Sequence, residues 1–176
     1  MKKAVIVISG IPGAGKSTIS ALLARQFERG VHLEAEALQR CIVSGGHWPN
    51  EAPQEEAMRQ LRLRGQNVAV LADSFFAAGF TAVVDDVVIG SRLMELRSDV
   101  RSRPLFFVLL LPQLEVVRRR NAQRPNKDVF AVWQHLHDVT IRETPRLGLW
   151  LDTSGQTPEE SMQHILARMW TEGEIV

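Results

Sequence analysis

The 176-residue sequence predicts an α/β fold, a three-layer sandwich in which a five-stranded parallel sheet lies between two layers of helices. Short apolar runs alternate with segments of helical period, the order that strands and crossover helices produce. Three of the runs are almost continuously apolar, as strands covered on both faces are. The first run also feeds a glycine-rich turn that opens directly into a helix-like segment.

In chain order the predicted strands are AVIVIS (4–9), VHLEA (31–35), TAVVDD (81–86), LFFVLLL (105–111) and GLWLDT (148–153). Helices are predicted to start near Ser17, Glu36, Glu51, Ile89, Leu114, Val129 and Pro158. The last has a strong start signal: Thr157 as N-cap, Pro158 at the first helical position, and two acids in the first turn. Residues 44–53 and 123–128 are rich in turn formers within helical surroundings, as loops over a site would be. No repeat or linker divides the sequence, so one domain over 1–176 is expected.

Composition narrows the classes of function. The 21 basic and 20 acidic side chains leave a net charge of +1, so no global basic field recruits nucleic acid, and an anion site must be local. A single cysteine, Cys41, allows no internal disulfide and is expected to pack on an apolar helix face. The opening MKKAVIVISGI superficially resembles a signal peptide, but its short apolar run meets a glycine turn and Lys16, so it reads as a buried strand. No stretch has the length of apolar residues that crosses a bilayer, and a cytoplasmic protein is expected.

The motif GIPGAGKST (10–18) satisfies G-x-x-x-x-G-K-[ST] through Gly10, Gly15, Lys16 and Ser17. Glycine lets successive main-chain amides turn inward around phosphate oxygens, and the helix that follows adds its positive dipole end. Gly10, Gly13, Ala14, Gly15, Lys16, Ser17 and Thr18 are therefore the expected nucleotide-binding loop. Lys16 would bridge the β- and γ-phosphates of ATP, and the Ser17 hydroxyl would hold Mg²⁺.

A phosphate loop does not by itself distinguish a kinase from a GTPase or a motor. The guanine-reading N-K-x-D signature is missing, since Asn126–Asp128 lacks its spacing. Asp85 and Asp86 end the third strand, where carboxylates lie beside a nucleotide in doubly wound sheets. Asp85 is the expected metal residue, with Asp86 either facing the substrate or capping the next helix. Arg120 and Arg124 stand four apart on one helical face before Pro125, placed to project from a hinged lid over about 118–130. Their guanidinium forks suit the charge on a transferring phosphoryl group. Arg118 and Arg119 read as a solvated face. Glu34 and Glu36 flank the passage from the second strand into a helix; a carboxylate there would accept a substrate hydroxyl's proton, and a helix-start role explains both acids equally well.

Taken in order and spacing, GIPGAGKST, HLEAEAL, VVDDVVIG, RNAQR and DTSGQTPEE resemble the small P-loop kinases related to adenylate, shikimate and gluconate kinases, most nearly the chloramphenicol phosphotransferase group. The resemblance implies a P-loop NTPase fold of the nucleoside monophosphate kinase kind, with a five-stranded parallel sheet and a helical lid. It implies Glu36 rather than Glu34 as general base, a glutamate where that group has aspartate. It further implies that one of Arg120 and Arg124 stacks on adenine and the other meets phosphate, with Thr153 and Pro158 edging the adenine. Residues 36–66 should line the acceptor pocket, with Arg40, Trp48 and Asp86 as substrate contacts. The implied activity is ATP- and Mg²⁺-dependent phosphorylation of a small-molecule hydroxyl. Polynucleotide 5′-hydroxyl or nucleoside kinase and a regulatory ATPase acting on a protein partner are the alternatives. Only scattered Arg40, Arg59, Arg62 and Arg64 offer a basic track, which speaks against nucleic acid.

Overall fold

A computed structural model describes residues 2–123 and 130–175. Five strands form one parallel sheet: β1 Val5–Ser9, β2 Gly30–Glu34, β3 Thr81–Asp85, β4 Leu105–Leu110 and β5 Leu149–Leu151. Their spatial order is β2-β3-β1-β4-β5, so the chain passes from β1 to the edge strand β2, returns through β3 beside β1, and then runs outward on the other side through β4 and β5. The helices are α1 Lys16–Ala24, α2 Ala35–Arg40, α3 Gln54–Ala77, α4 Arg92–Asp99, α5 Leu114–Ala122, α6 Phe130–Trp133, α7 Leu136–Glu143 and α8 Pro158–Glu172.

Side chains of a strand alternate between faces, and this divides the core in two. Ile6 and Ile8 of β1 join Val83, Val108 and residues of α1 and α8 on one face. Val5 and Val7 join Ala82, Val84, Phe107 and residues of α3 and α4 on the other. Both faces are dry, which explains why the central strands read as unbroken apolar runs. At the turn into β2, a Cβ on Gly30 would stand 1.9 Å from the Ala24 carbonyl oxygen, so this close approach admits no side chain.

Several boundaries differ from expectation. Helix α3 begins at Gln54 because Pro53 occupies its N-cap and residues 49–53 form a turn followed by bends. Helix α4 waits until Arg92: Ser9 Oγ donates to the Val88 carbonyl at 2.8 Å and accepts from its N–H at 3.0 Å, which holds the preceding segment extended. The helix expected from Val129 is described as two, α6 and α7. Cys41 is exposed, because α2 is short and ends at Arg40, leaving the thiol at its C-cap. The start of α8 is as expected, with a capping box in which Glu160 N–H donates to Thr157 Oγ1 at 3.1 Å and Thr157 N–H to Glu160 Oε2 at 2.8 Å. Among the described residues no helix is long and apolar enough to cross a membrane.

Candidate functional site

The site lies at the carboxyl ends of the strands. The loop after β1 turns at Gly13 (φ 92°) and Gly15 (φ 100°), left-handed conformations that favour glycine. Space is the second constraint at Gly13, where a Cβ would meet Asn121 Nδ2 at 2.2 Å. That amide, on α5, donates to the Pro12 carbonyl at 3.2 Å and so anchors the loop from behind. Lys16 is buried at the first turn of α1, its Nζ donating to the Ile11 carbonyl at 3.3 Å.

Parity on the strands brings three further groups to the α1 side. Asp85 shares a face of β3 with Val83, and its Oδ1 accepts from Ser17 Oγ at 3.3 Å. His32 and Glu34 share a face of β2, in register with Val83 and Asp85 respectively. His32 Nε2 stands 2.5 Å from Asp85 Oδ2. Ser17 and Asp85 present close oxygen donors of the kind Mg²⁺ takes, so these two residues fit the expected metal.

Beside the loop lies a cavity of about 620 Å³ bordered by Gly13, Gly15, Thr18, Arg120, Gln156 and Pro158. Arg120 ties its walls together: Nη1 donates to the Ala14 carbonyl at 3.3 Å and Nη2 to the Thr153 carbonyl at 2.9 Å. Burial lowers the affinity of its guanidinium for a proton, and neighbouring Arg119 adds to that. Arg119, expected on a solvated face, borders the same cavity. Thr153, expected beside the adenine, is fully buried, and its carbonyl accepts from Arg120. Arg124 and the central part of the expected lid lie outside the described residues.

On the acceptor side, Arg40 stands between the two candidate bases, 3.5 Å from Glu34 and 3.8 Å from Glu36. The half-buried Trp48 sits in a loop held by two buried glutamines. Gln60 Oε1 accepts from His47 N–H at 2.7 Å, and Gln39 Nε2 donates to the His47 carbonyl at 3.1 Å.

Asp86 requires a correction. It does not cap α4, whose N-cap is Ser91, and it lies away from the Ser17–Asp85 pair. Its side chain points to the opposite face, where Oδ1 accepts from Arg64 Nη2 at 2.6 Å and Oδ2 from Arg92 Nη2 at 3.2 Å. Burial pushes its carboxyl pKa up, but Arg64 and Arg92 outweigh that and hold it below the ordinary value. His32, Asn121 and Arg92 were not singled out as functional from the sequence, and the pairing of Asp86 with Arg64 was not foreseen. Only His32 had a visible signal there, its period-two relation to Glu34.

A family model described as AAA domain matches residues 5–142. An iron-sulfur cluster carrier protein of Rickettsia bellii (strain RML369-C) is 34% identical over 89 residues, 48% of this chain and 27% of that protein. The chain thus spans about a quarter of that relative's length. A sugar kinase from Janibacter sp. HTCC2649 superposes with a TM-score of 0.67 at 21% identity, covering 95% of this chain and 94% of that one. A gluconokinase from Sinorhizobium meliloti 1021 gives 0.64 at 19%, covering 93% and 90%.

Proposed function

The chain belongs to the AAA domain family and has the fold of the small P-loop kinases, and from this we propose that it transfers the γ-phosphate of ATP to a hydroxyl of a small molecule. The observation that carries the reading is the position of the phosphate loop: its Ser17–Asp85 contact stands at the strand ends, with a cavity on one side and acid-bearing α2 on the other. Lys16 draws the β- and γ-phosphates toward the loop amides. Ser17 and Asp85 would hold Mg²⁺, which supplies charge neutralisation on the phosphates. Glu36, in the first turn of α2, accepts the proton of the attacking hydroxyl. Arg120 fixes the cavity wall against which the nucleotide lies, and positioning with electrostatics supplies most of the rate.

The test has two stages. A library of hydroxyl-bearing metabolites and antibiotics is screened for acceptor-stimulated ADP formation, with mass spectrometry of the products. Glu36→Gln should then lower transfer by about 10²–10⁴-fold while MgATP affinity stays nearly unchanged. Normal turnover of the acceptor by that variant removes Glu36 as base.

A second reading, a nucleotide-dependent ATPase acting with a partner, is favoured by the identity to the iron-sulfur cluster carrier protein. Against cluster carriage stands the single cysteine of this sequence, since Fe–S clusters are usually held by about four thiolates. Phosphate release with no phosphorylated acceptor, stimulated by a protein, would select this reading.

A further inference from the structure

Asp85 presents its two carboxylate oxygens to two different neighbours. Oδ1 accepts from Ser17 Oγ at 3.3 Å, on the side of the phosphate loop. Oδ2 lies 2.5 Å from His32 Nε2, on the side of β2. Glu34 is paired with Asp85 in the strand register and falls on the same face of β2 as His32. One donor atom from each of His32, Glu34 and Asp85 lies within 4.8 Å of the others. The proposed transfer uses Oδ1 and gives no task to Oδ2, to His32 or to the Glu34 carboxylate.

We propose that His32, Glu34 and Asp85 form a second divalent-cation site, for an ion that accepts nitrogen as well as oxygen ligands, with Asp85 shared between this site and the Ser17 side. An imidazole with two carboxylates suits Zn²⁺, Co²⁺ or Mn²⁺, whereas Mg²⁺ takes oxygen alone. Two ligands about 2.0–2.1 Å from a tetrahedral ion stand roughly 3.3 Å apart, so the 2.5 Å contact opens by about 0.8 Å on loading. The cation replaces the contact between Nε2 and Oδ2, with the single ring proton of the neutral imidazole carried on Nδ1.

Access and charge agree with this. The His32 and Asp85 side chains are 19% and 7% exposed, whereas Glu34 is 44% exposed and opens the site to solvent. Arg40, 3.5 Å from Glu34, is the cation that a bound ion displaces. The site needs only these three side chains and does not depend on ATP-driven transfer.

The test titrates Co²⁺ and Zn²⁺ into the full chain, free of affinity tag and of nucleotide. Co²⁺ binding is followed by visible absorption and Zn²⁺ by calorimetry. Wild type should bind one equivalent saturably, with Co²⁺ bands characteristic of nitrogen-containing coordination. Because changes outside the ligand shell already cost about 10–100-fold, His32→Gln and Glu34→Gln should each weaken binding at least tenfold. Cys41→Ser should leave binding unchanged, which separates this site from the exposed thiol. Lys16→Ala should also leave it unchanged while removing nucleotide affinity, so failure of the cation site and failure of the nucleotide reading are distinguishable. Should His32→Gln not fold, Glu34→Gln at the exposed end carries the same readout. Absence of saturable binding by wild type, or full affinity in the Glu34→Gln or a folded His32→Gln variant, overturns the proposal.

Discussion

Asp86→Asn tests whether the second carboxylate of β3 serves a substrate or the fold. The substitution keeps the shape and removes the charge that Arg64 and Arg92 share. Arg64 is 5% exposed and its Nε already lacks an acceptor among the described residues, so the variant leaves a buried cation without its counter-ion. Breaking one partner of a buried pair costs about 3–5 kcal/mol. Arg92 moderates this, because its side chain is 16% exposed and can turn to water. For a chain of this size each kcal/mol lowers Tm by about 2–4 °C, so a fall of roughly 6–20 °C is expected. Thermal unfolding by circular dichroism and urea titration measure it. A Tm within about 2 °C of wild type, alongside a raised acceptor KM, would refute the structural role and restore the substrate role. Replacing Arg64 and Asp86 together with apolar residues, Arg64→Met with Asp86→Leu, should cost less than the sum of the single changes, because only Arg92, whose side chain can turn to water, then loses its counter-ion.

Gly13→Ala combines a left-handed φ with a Cβ 2.2 Å from Asn121 Nδ2, and should cost about 1–3 kcal/mol and weaken MgATP binding; unchanged calorimetric affinity would show that the loop yields without losing its grip. Acid stability should also report on Asp86. Burial raises its carboxyl pKa and Arg64 with Arg92 lower it further than burial raises it, so the folded value is depressed. Its contribution is therefore full above the ordinary carboxylate range and is lost as pH falls through the depressed folded value, a window lying below about pH 4. Asp86→Asn should flatten the acid limb of a stability-against-pH curve there; an identical limb in both proteins would contradict that assignment.

What could be read from the sequence was whatever is local along the chain. The five strands are short apolar runs between turn residues, and the phosphate loop is written in nine consecutive residues whose glycines dictate its backbone. The start of α8 was equally legible, since a capping box lies within four residues. The boundaries that moved are those set by distant partners: α4 begins late because Ser9, 79 positions before Val88, holds the segment ahead of it. The same distance hid His32, whose partner Asp85 is 53 positions away, and Asn121, which braces Pro12 from 109 positions away.

The adjacent aspartates of β3 show where elementary geometry had more to give. Successive side chains on a strand point to opposite faces, and Asp86, just past the end of β3, keeps that alternation with Asp85. Val83 belongs to the core beneath α1 and α8, and Asp85, two residues on, follows it to the side of the phosphate loop. Val84 belongs to the core beneath α3 and α4, and Asp86 follows it to Arg64 of α3 and Arg92 of α4. Parity alone separates a carboxylate that can serve a metal from one that holds helices to the sheet. The same rule on β2 sends Val31 and Leu33 to the α3 face, leaving His32 and Glu34 beside Asp85. Once one residue of the sheet's edge is assigned to the phosphate loop, alternation fixes which of its neighbours can join it, and on that count His32 is a stronger candidate for the site than Asp86.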